Sequence, residues 1–293
     1  MDKKKYKLKG HESFILREGW LTKGLRGVNE DSKLFAKKYC ADTLGVGTNM
    51  AKSIRYWLKT AGLICEAGSK GVFLTDIGKI ILDYDMYFED IFTTWIVHSN
   101  IVSNYNMATI WNIFFNDVDL NSDFTKDEMG YISKRILIQN IEDANFSEKS
   151  LLDDCSTLLA MYANRNDTNN DPEDMRSSPL SELGLIVRVG DRYKKERPKV
   201  NKINPLVILY IFIDELNENG SLHIDYITDG FNMPGKVLNL NRIMVNDFLN
   251  DLQKEEYIRV DRTAGLDMVY ADGCKDKNKV DVLKMYYEDG MFK

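Results

Sequence analysis

The pattern of hydrophobic and polar positions predicts helices along most of this 293-residue chain. Aromatic and branched residues recur with helical spacing in nearly every segment. Neither an internal repeat nor a low-complexity tract interrupts the pattern. We therefore predict a mainly α-helical protein of the α+β class, in which short strands form hairpins.

The first block, residues 1–82, predicts three helices followed by a hairpin. Its segment 31–45, DSKLFAKKYCADTLG, predicts the second helix, with Leu34, Phe35 and Tyr39 toward the core. Residues 48–61 predict the third helix, and 62–82 predict strand, tight turn, strand and a short helix. This order is that of a winged helix-turn-helix domain with an N-terminal arm.

Three further regions follow along the chain. Residues 83–163 predict a helical domain whose last helix opens with Ser147 as its N-cap. Residues 164–179, NRNDTNNDPEDMRSSP, are rich in Asn, Asp and Ser and predict a linker. Residues 180–293 predict a C-terminal α+β domain that begins with a hairpin around Gly190. Its later order of strand, helix, helix and hairpin predicts a second, degenerate winged-helix-like domain.

The third helix of the first block predicts a surface for a polyanion. Gly45 and Gly47 precede it and allow a sharp turn. At 100° per residue its apolar arc contains Met50, Ile54, Trp57, Leu58 and Ala61. The opposite arc contains the polar and basic residues Thr48, Asn49, Lys52, Arg55, Tyr56 and Lys59.

An α-helix with such a face can enter the major groove of duplex DNA. Asn49 suits bidentate contact with adenine, and Arg55 suits contact with guanine. Lys70, at the tip of the predicted hairpin, can reach the phosphate backbone. A solvated basic face, or a protein-interaction module, is the alternative interpretation of the same pattern.

The charge distribution favours the nucleic-acid interpretation. Residues 1–80 contain 16 Lys and Arg against 8 Asp and Glu, whereas residues 81–180 contain 6 against 18. A basic N-terminal region of residues 1–80, called the head below, is followed by an acidic region. This arrangement predicts that the head binds a polyanion. Five of the head's lysines lie in the first nine residues, and the head remains positive without them.

Composition excludes several classes of protein. The apolar runs are too short to span a bilayer. The 4 cysteines are scattered, without a CxxC pair, so we expect a reducing, cytoplasmic location. The 3 histidines show no spacing typical of a metal site, and we predict no histidine-built metal centre.

Four segments carry a resemblance to a known bacterial family. They are HESFILREGWLTKG (His11–Gly24), LGVGTNMAKSIRYWL (Leu44–Leu58), EDIFTTWIVH (Glu89–His98) and ATIWNIFFN (Ala108–Asn116). The chain resembles the SspB-like proteins, a family of uncharacterised domains found in DNA phosphorothioation gene clusters. The resemblance covers residues 10–116 well and the remainder loosely.

The resemblance implies a role in handling DNA during modification, beside a cysteine desulfurase and an ATP pyrophosphatase. A DNA-nicking activity is attributed to the SspB-like branch. The residues of this sequence that match the family's motif positions are His11, Phe14, Arg17, Trp20, Lys23, Asn49, Ser53, Arg55, Trp57, Thr93, Trp95 and His98.

Nicking by a metal nuclease would need carboxylates that converge on Mg²⁺ or Mn²⁺. Asp83, Asp85, Glu89 and Asp90 cluster within eight positions and are the candidates, with His98 nearby. Alternatively, acidic residues at the start of a helix stabilise it through a favourable interaction with the helix dipole. We expect His98 to be a buried, hydrogen-bonded histidine, since it follows Trp95 on one helix face.

The N-terminal arm offers a second candidate patch. His11, Arg17 and Lys23 could bind phosphate, with Trp20 packed beside them. Alternatively, Phe14 and Trp20 anchor the arm to the core, and His11 makes a local hydrogen bond. The residues alone leave both interpretations open.

The sequence therefore predicts a DNA-binding component of a phosphorothioate modification system, which contacts duplex DNA through an N-terminal winged helix. A metal-dependent nickase, a transcriptional regulator and a scaffold that never touches DNA are the alternatives.

Overall fold

The structure is a computed structural model, and it describes residues 5–118, 122–141, 145–163 and 177–290. Helices dominate it, and its short strands pair antiparallel in hairpins and one small sheet. The prediction of a mainly helical α+β protein is confirmed.

Packing divides the chain into two compact units, Met1–Glu196 and Arg197–Lys293. The described part of the first unit contains eight α-helices and two hairpins. They are α1 (Trp20–Glu30), α2 (Cys40–Leu44), α3 (Thr48–Thr60), β1 (Ile64–Glu66), β2 (Val72–Leu74), α4 (Asp76–Tyr84), α5 (Ile91–Ser103), α6 (Thr109–Asn116), α7 (Lys126–Asn140), α8 (Glu148–Tyr162), β3 (Ile186–Val189) and β4 (Arg192–Lys195).

The segment between α1 and α3 differs from its prediction. A single helix over 31–45 is wrong, because Lys37 is extended (φ −79°, ψ 141°) and separates a short 3-10 turn from α2. Tyr39, expected in the core, is 56% exposed. The carbonyl of Ser32 accepts a hydrogen bond from Val72 N of β2, at 2.8 Å, which fixes this segment beside the hairpin.

Gly45 makes the turn into α3 possible. It ends α2 with φ 63°, a conformation that costs little only for glycine. Helix α3 then packs its apolar side inward, and the ring centroids of Trp57 and Trp111 lie 5.4 Å apart. The expected hairpin follows, with Cys65 paired to Phe73 in register.

Helices α5 to α8 form the helical body that the sequence predicts. The Ser147 side chain accepts a hydrogen bond from Ser150 N, so the expected N-cap is confirmed. Thr125 caps α7 in a reciprocal arrangement with Glu128. The largest fully buried side chains of the first unit are Trp57, Trp95, Trp111, Tyr162, Phe92, Phe114, Phe115 and Phe124.

The hairpin β3–β4 belongs to the first unit, although the predicted C-terminal domain begins at residue 180. Ile186 bridges to Ala163 at the end of α8, and Tyr193 bridges to Phe124 before α7. Most of the predicted linker, residues 164–176, lies outside the described residues. The domain boundaries drawn from the sequence remain a prediction.

The second unit combines five helices with a three-stranded sheet in its described part. Its elements are α9 (Pro205–Asn219), β5 (Ser221–His223), α10 (Ile224–Asp229), α11 (Pro234–Val237), α12 (Arg242–Lys254), β6 (Arg259–Asp261), β7 (Met268–Tyr270) and α13 (Lys279–Gly290). The sheet order is β5-β7-β6, and both pairings are antiparallel. Helix α9 forms the centre of this unit, since most of its side chains are buried.

Candidate nucleic-acid interface

Helix α3 has one buried and one polar side, as its periodicity predicts. The side chains of Ile54, Trp57 and Leu58 are fully buried. On the other side, Thr48, Asn49 and Lys52 are exposed. The Lys52 ammonium donates to Asn49 Oδ1 at 3.2 Å, so two of the candidate contact residues touch one another.

A single carboxylate, that of Glu66 in β1, holds the two basic residues at the C-terminal half of α3. Arg55 donates to Glu66 Oε1 from Nη2 at 2.8 Å and from Nε at 3.1 Å. Lys59 donates to Glu66 Oε2 at 2.7 Å. The hydrogen bond from Lys59 and the positive charge of Arg55 lower the pKa of the Glu66 carboxyl. Glu66 is therefore ionised at neutral pH and paired with both cations.

The hairpin carries an exposed lysine at its tip. Lys70 lies in the 3-10 turn between β1 and β2, and its side chain is exposed. The next residue, Gly71, has φ 115°, and a Cβ there would lie 2.4 Å from the Ser32 carbonyl oxygen. Only glycine fits this position, which holds the tip beside the segment that precedes α2.

That segment adds basic residues that the sequence analysis did not select. Lys33 and Lys38 are exposed, and Lys37 is exposed and paired with Asp31. Tyr39 projects beside them, with the Lys37 ammonium 5.6 Å from its ring centroid. A single amphipathic helix over residues 31–45 would place Tyr39 in the core. For that reason the sequence did not predict this exposed basic surface.

Three of the predicted DNA contacts are buried instead. Tyr56 is covered, and its hydroxyl donates to the Met107 carbonyl oxygen at 2.7 Å. Burial raises the pKa of the Tyr56 hydroxyl, which stays protonated. Ser53 is fully buried, and its Oγ has no hydrogen-bond partner among the described residues. Since buried side chains cannot reach DNA, these two residues and His11 leave the candidate contact set.

His11 lies inside the first unit between α3 and α8. Its ring stacks on Trp57 with centroids 5.8 Å apart and an interplanar angle of 10°. Its Nε2 lies 2.9 Å from Asp154 Oδ1. Burial raises the pKa of the Asp154 carboxyl, and the hydrogen bond with His11 opposes that shift. His11 therefore anchors the N-terminal arm to the core. It is not part of an exposed patch that could bind phosphate.

Arg17 and Lys23, the other candidates near the arm, lie in different settings. Arg17 is partly buried, with its guanidinium 5.2 Å from the ring centroid of Trp20 and 5.6 Å from that of Phe14. Lys23 is exposed and donates to the Leu44 carbonyl oxygen at 3.3 Å, beside the turn into α3. Lys23 thus borders the exposed surface of α3.

Two of the four acidic candidates for a metal site, Asp85 and Asp90, accept hydrogen bonds from backbone amides. Asp85 accepts hydrogen bonds from Glu89 N at 2.9 Å, Asp90 N at 3.2 Å and Thr93 Oγ1 at 2.5 Å. Asp90 is the N-cap of α5 and accepts from Phe92 N at 2.8 Å. Burial raises the pKa of the Asp85 carboxyl. Asp83 is exposed and lies outside these bonds.

Throughout the described ranges, no group of three or more His, Cys, Asp or Glu side chains could hold a metal ion. Of the Asp83–Asp90 acids, Asp85 and Asp90 are engaged in these hydrogen bonds, whereas the side chains of Asp83 and Glu89 are exposed. His98 is fully buried, and its Nδ1 lies 2.7 Å from the Tyr162 hydroxyl. The expectation of a buried, hydrogen-bonded His98 is confirmed.

The fold and this surface define a class of mainly helical α+β protein, in which a polar and basic helix lies beside a short hairpin with a lysine at its tip. The chain belongs to the family described as "Protein of unknown function (DUF4007)", whose model matches residues 8–287. No curated protein matches the chain.

Two solved structures share the fold. The one described as "SspB crystal structure" has a TM-score of 0.85 and 22% sequence identity. The one described as "Magnesium ion-bound SspB crystal structure" has a TM-score of 0.85 and 21% identity. Each match covers 98% of this chain and 89% of the other. The resemblance to SspB-like proteins is thereby confirmed at the level of the fold.

Among the described residues, no helix combines the length and the apolar character that a bilayer crossing requires.

Proposed function

We propose that this protein binds duplex DNA through its first unit, with α3 as the groove-reading helix of a winged helix and the β1–β2 hairpin as its wing. The observation that carries the proposal is the exposed side of α3. Thr48, Asn49 and Lys52 lie there, and Lys70 is exposed at the tip of the hairpin. Neutral hydrogen-bonding groups flanked by lysines suit base edges flanked by phosphates.

The modification system is part of the same proposal. The family match and the likeness of fold to SspB support a role in DNA phosphorothioate modification. In that role the protein presents DNA to sulfur-transferring partners of the cysteine desulfurase and ATP pyrophosphatase types. The proposed location is the cytoplasm, where these partners and the DNA are found together.

Salt-dependent binding tests the proposal. The double variant Lys52→Ala/Lys70→Ala removes two exposed cations that no ion pair holds within the described residues. We expect weaker binding to a labelled duplex and a slope of log affinity against log salt that is smaller by about 2, since each phosphate contact contributes about 0.9. Fluorescence anisotropy over a salt series measures both quantities.

The control is Lys126→Ala/Lys149→Ala, which removes the same charge from two exposed sites of the first unit, one on α7 and one on α8. It should leave the slope unchanged. Equal slopes for the two double variants would contradict the proposed interface, and an absence of duplex binding by the unaltered protein would contradict the function itself.

Metal-dependent nicking is a second candidate function, because one solved structure of this fold is described as magnesium-bound. Supercoiled plasmid, incubated with the protein and Mg²⁺ or Mn²⁺ and then deproteinised, tests it. If the exposed acids Asp83 and Glu89 support cutting, then Asp83→Ala/Glu89→Ala should abolish the open-circular band and leave duplex binding intact. Nicking that persists in this variant would place the chemistry elsewhere. Plasmid that stays supercoiled would favour the binding role.

A further inference from the structure

The C-terminal half of the proposed recognition helix is neutralised by the protein itself. Glu66 accepts three hydrogen bonds from α3, two from Arg55 at 2.8 and 3.1 Å and one from Lys59 at 2.7 Å. Both carboxylate oxygens are occupied, so one acid engages both cations. The three side chains are each about one-third to two-fifths exposed, which leaves the cluster open to solvent and to a ligand.

A third cation lies near the same carboxylate. Lys7, from the N-terminal arm, lies with its ammonium 5.4 Å from the ring centroid of Tyr56 on α3. Burial and the positive charge of Lys59 lower the pKa of Lys7, and the negative charge of Glu66 opposes that shift. The carboxylate of Glu66 therefore balances a local concentration of positive charge that would otherwise face solvent.

The N-terminal half of α3 has a different character. Thr48, Asn49 and Lys52 are exposed, and no carboxylate pairs with Lys52 among the described residues. The helix is thus divided into an N-terminal turn, whose lysine is held by no carboxylate among the described residues, and a C-terminal turn, whose two cations are bound by Glu66. A DNA phosphate can engage Arg55 or Lys59 only by displacing Glu66 or by sharing the cations with it.

This division has a consequence for affinity. Non-specific binding to DNA derives from cations that neutralise phosphates and release counterions. A cation that is paired with a protein carboxylate releases fewer counterions, and the carboxylate also repels the phosphates. Contacts with base edges do not depend on charge neutralisation in this way.

We infer that Glu66 is a specificity-determining residue for duplex DNA, which withholds Arg55 and Lys59 from the phosphates of arbitrary sequences and so suppresses non-specific binding. The inference rests on the proposed DNA-binding function. Its geometry is set by the hairpin, because Glu66 lies in β1 opposite Val72 and reaches across to α3.

The variant Glu66→Gln tests this role directly, because it retains the shape and removes the charge. We expect it to bind random-sequence duplex at least about fivefold more tightly at low salt, with a salt slope steeper by about 1 to 2, as two more cations meet phosphates. The control Glu182→Gln makes the same charge change at an exposed site in the first unit. It corrects for net charge and should leave the slope unchanged.

A second comparison identifies the cations that are released. If the gain comes from Arg55 and Lys59, then adding Glu66→Gln to Arg55→Ala/Lys59→Ala should produce no gain beyond that of Glu182→Gln. Thermal melting of each variant confirms that the fold is retained. Should Glu66→Gln melt early, Glu66→Ala replaces it in the same series.

The outcomes separate the inference from the function on which it rests. Unchanged or weaker duplex binding by Glu66→Gln, while the unaltered protein binds, overturns the role of Glu66 and leaves the interface standing. Failure of both proteins to bind any duplex overturns the proposed function. A gain that persists without Arg55 and Lys59 overturns the mechanism of withholding.

Discussion

Cys65 has an environment unlike that of the other cysteines. It is exposed on β1, whereas Cys40, Cys155 and Cys274 are buried, and all four thiols are free. Burial raises the pKa of the Cys155 thiol to about 12 and that of Cys274 to about 11. A thiolate is the reactive species, so buried thiols with raised pKa values react slowly.

Alkylation should therefore distinguish Cys65 from the rest. At mildly alkaline pH we expect iodoacetamide to modify only Cys65 in the folded protein and all four thiols after unfolding, as read by mass spectrometry. Added duplex should slow the reaction, because Cys65 lies on the proposed wing, paired in register with Phe73. Rapid modification of Cys155 without denaturant would refute the burial argument, and full reactivity under saturating DNA would refute contact at the wing.

The N-terminal arm is attached to two helices through side-chain acceptors. Asp154 Oδ1 of α8 receives Lys9 N at 2.8 Å and lies 2.9 Å from His11 Nε2. Lys7 N donates to Thr109 Oγ1 of α6 at 2.8 Å. The arm thus ties α6 and α8 to α3, on which His11 stacks.

Removal of the shared acceptor should be costly. Asp154→Ala leaves the Lys9 amide and the buried His11 ring without their partner, and we expect a loss of about 2–4 kcal/mol in the free energy of unfolding. Urea denaturation measures it. The adjacent Asp153→Ala removes a solvent-exposed pair with Lys9 and should cost far less. Similar losses for the two variants would contradict a specific role for the buried acceptor.

Helices α3 and α5 to α8 were predictable because apolar residues recur along each of them at helical spacing. The polar side of α3 is largely exposed, whereas α5 and α6 are buried on almost every side. The segment 31–45 was not predictable in this way, because two contacts replace a continuous helix. They are the hydrogen bond that Val72 N of the hairpin donates to the Ser32 carbonyl and the local ion pair between Lys37 and Asp31. The C-terminal helix α13 was also missed, since its short apolar spacing lies among charged residues.

The candidate surface on α3 was only partly predictable, because its burial also depends on segments distant in sequence. A helical wheel assumes one buried arc, but the arm covers a second side of α3. Consequently Tyr56, on the polar arc, is buried beside Gly10, where a Cβ would lie 2.4 Å from its ring. The engagement of Arg55 and Lys59 by Glu66 depends on the hairpin position relative to α3, which local sequence does not encode.

At the scale of the whole molecule, charge is unevenly distributed. The chain has a net charge of −6, yet residues 1–80 carry twice as many basic as acidic residues. In the proposed function, the acidic residues 81–180 repel DNA and the basic residues 1–80 attract it, so that DNA is expected to approach the surface of α3. Under the proposed role of Glu66, its carboxylate limits how much of that attraction becomes stable contact with phosphates.

The bond between His11 and Asp154 spans 143 residues of sequence. During synthesis from the N-terminus, His11 therefore emerges long before its acceptor exists. Until α8 leaves the ribosome, the arm lacks its anchor and the tryptophan face of α3 lacks its full cover. The packing around His11 can therefore be completed only after α8 has been synthesised.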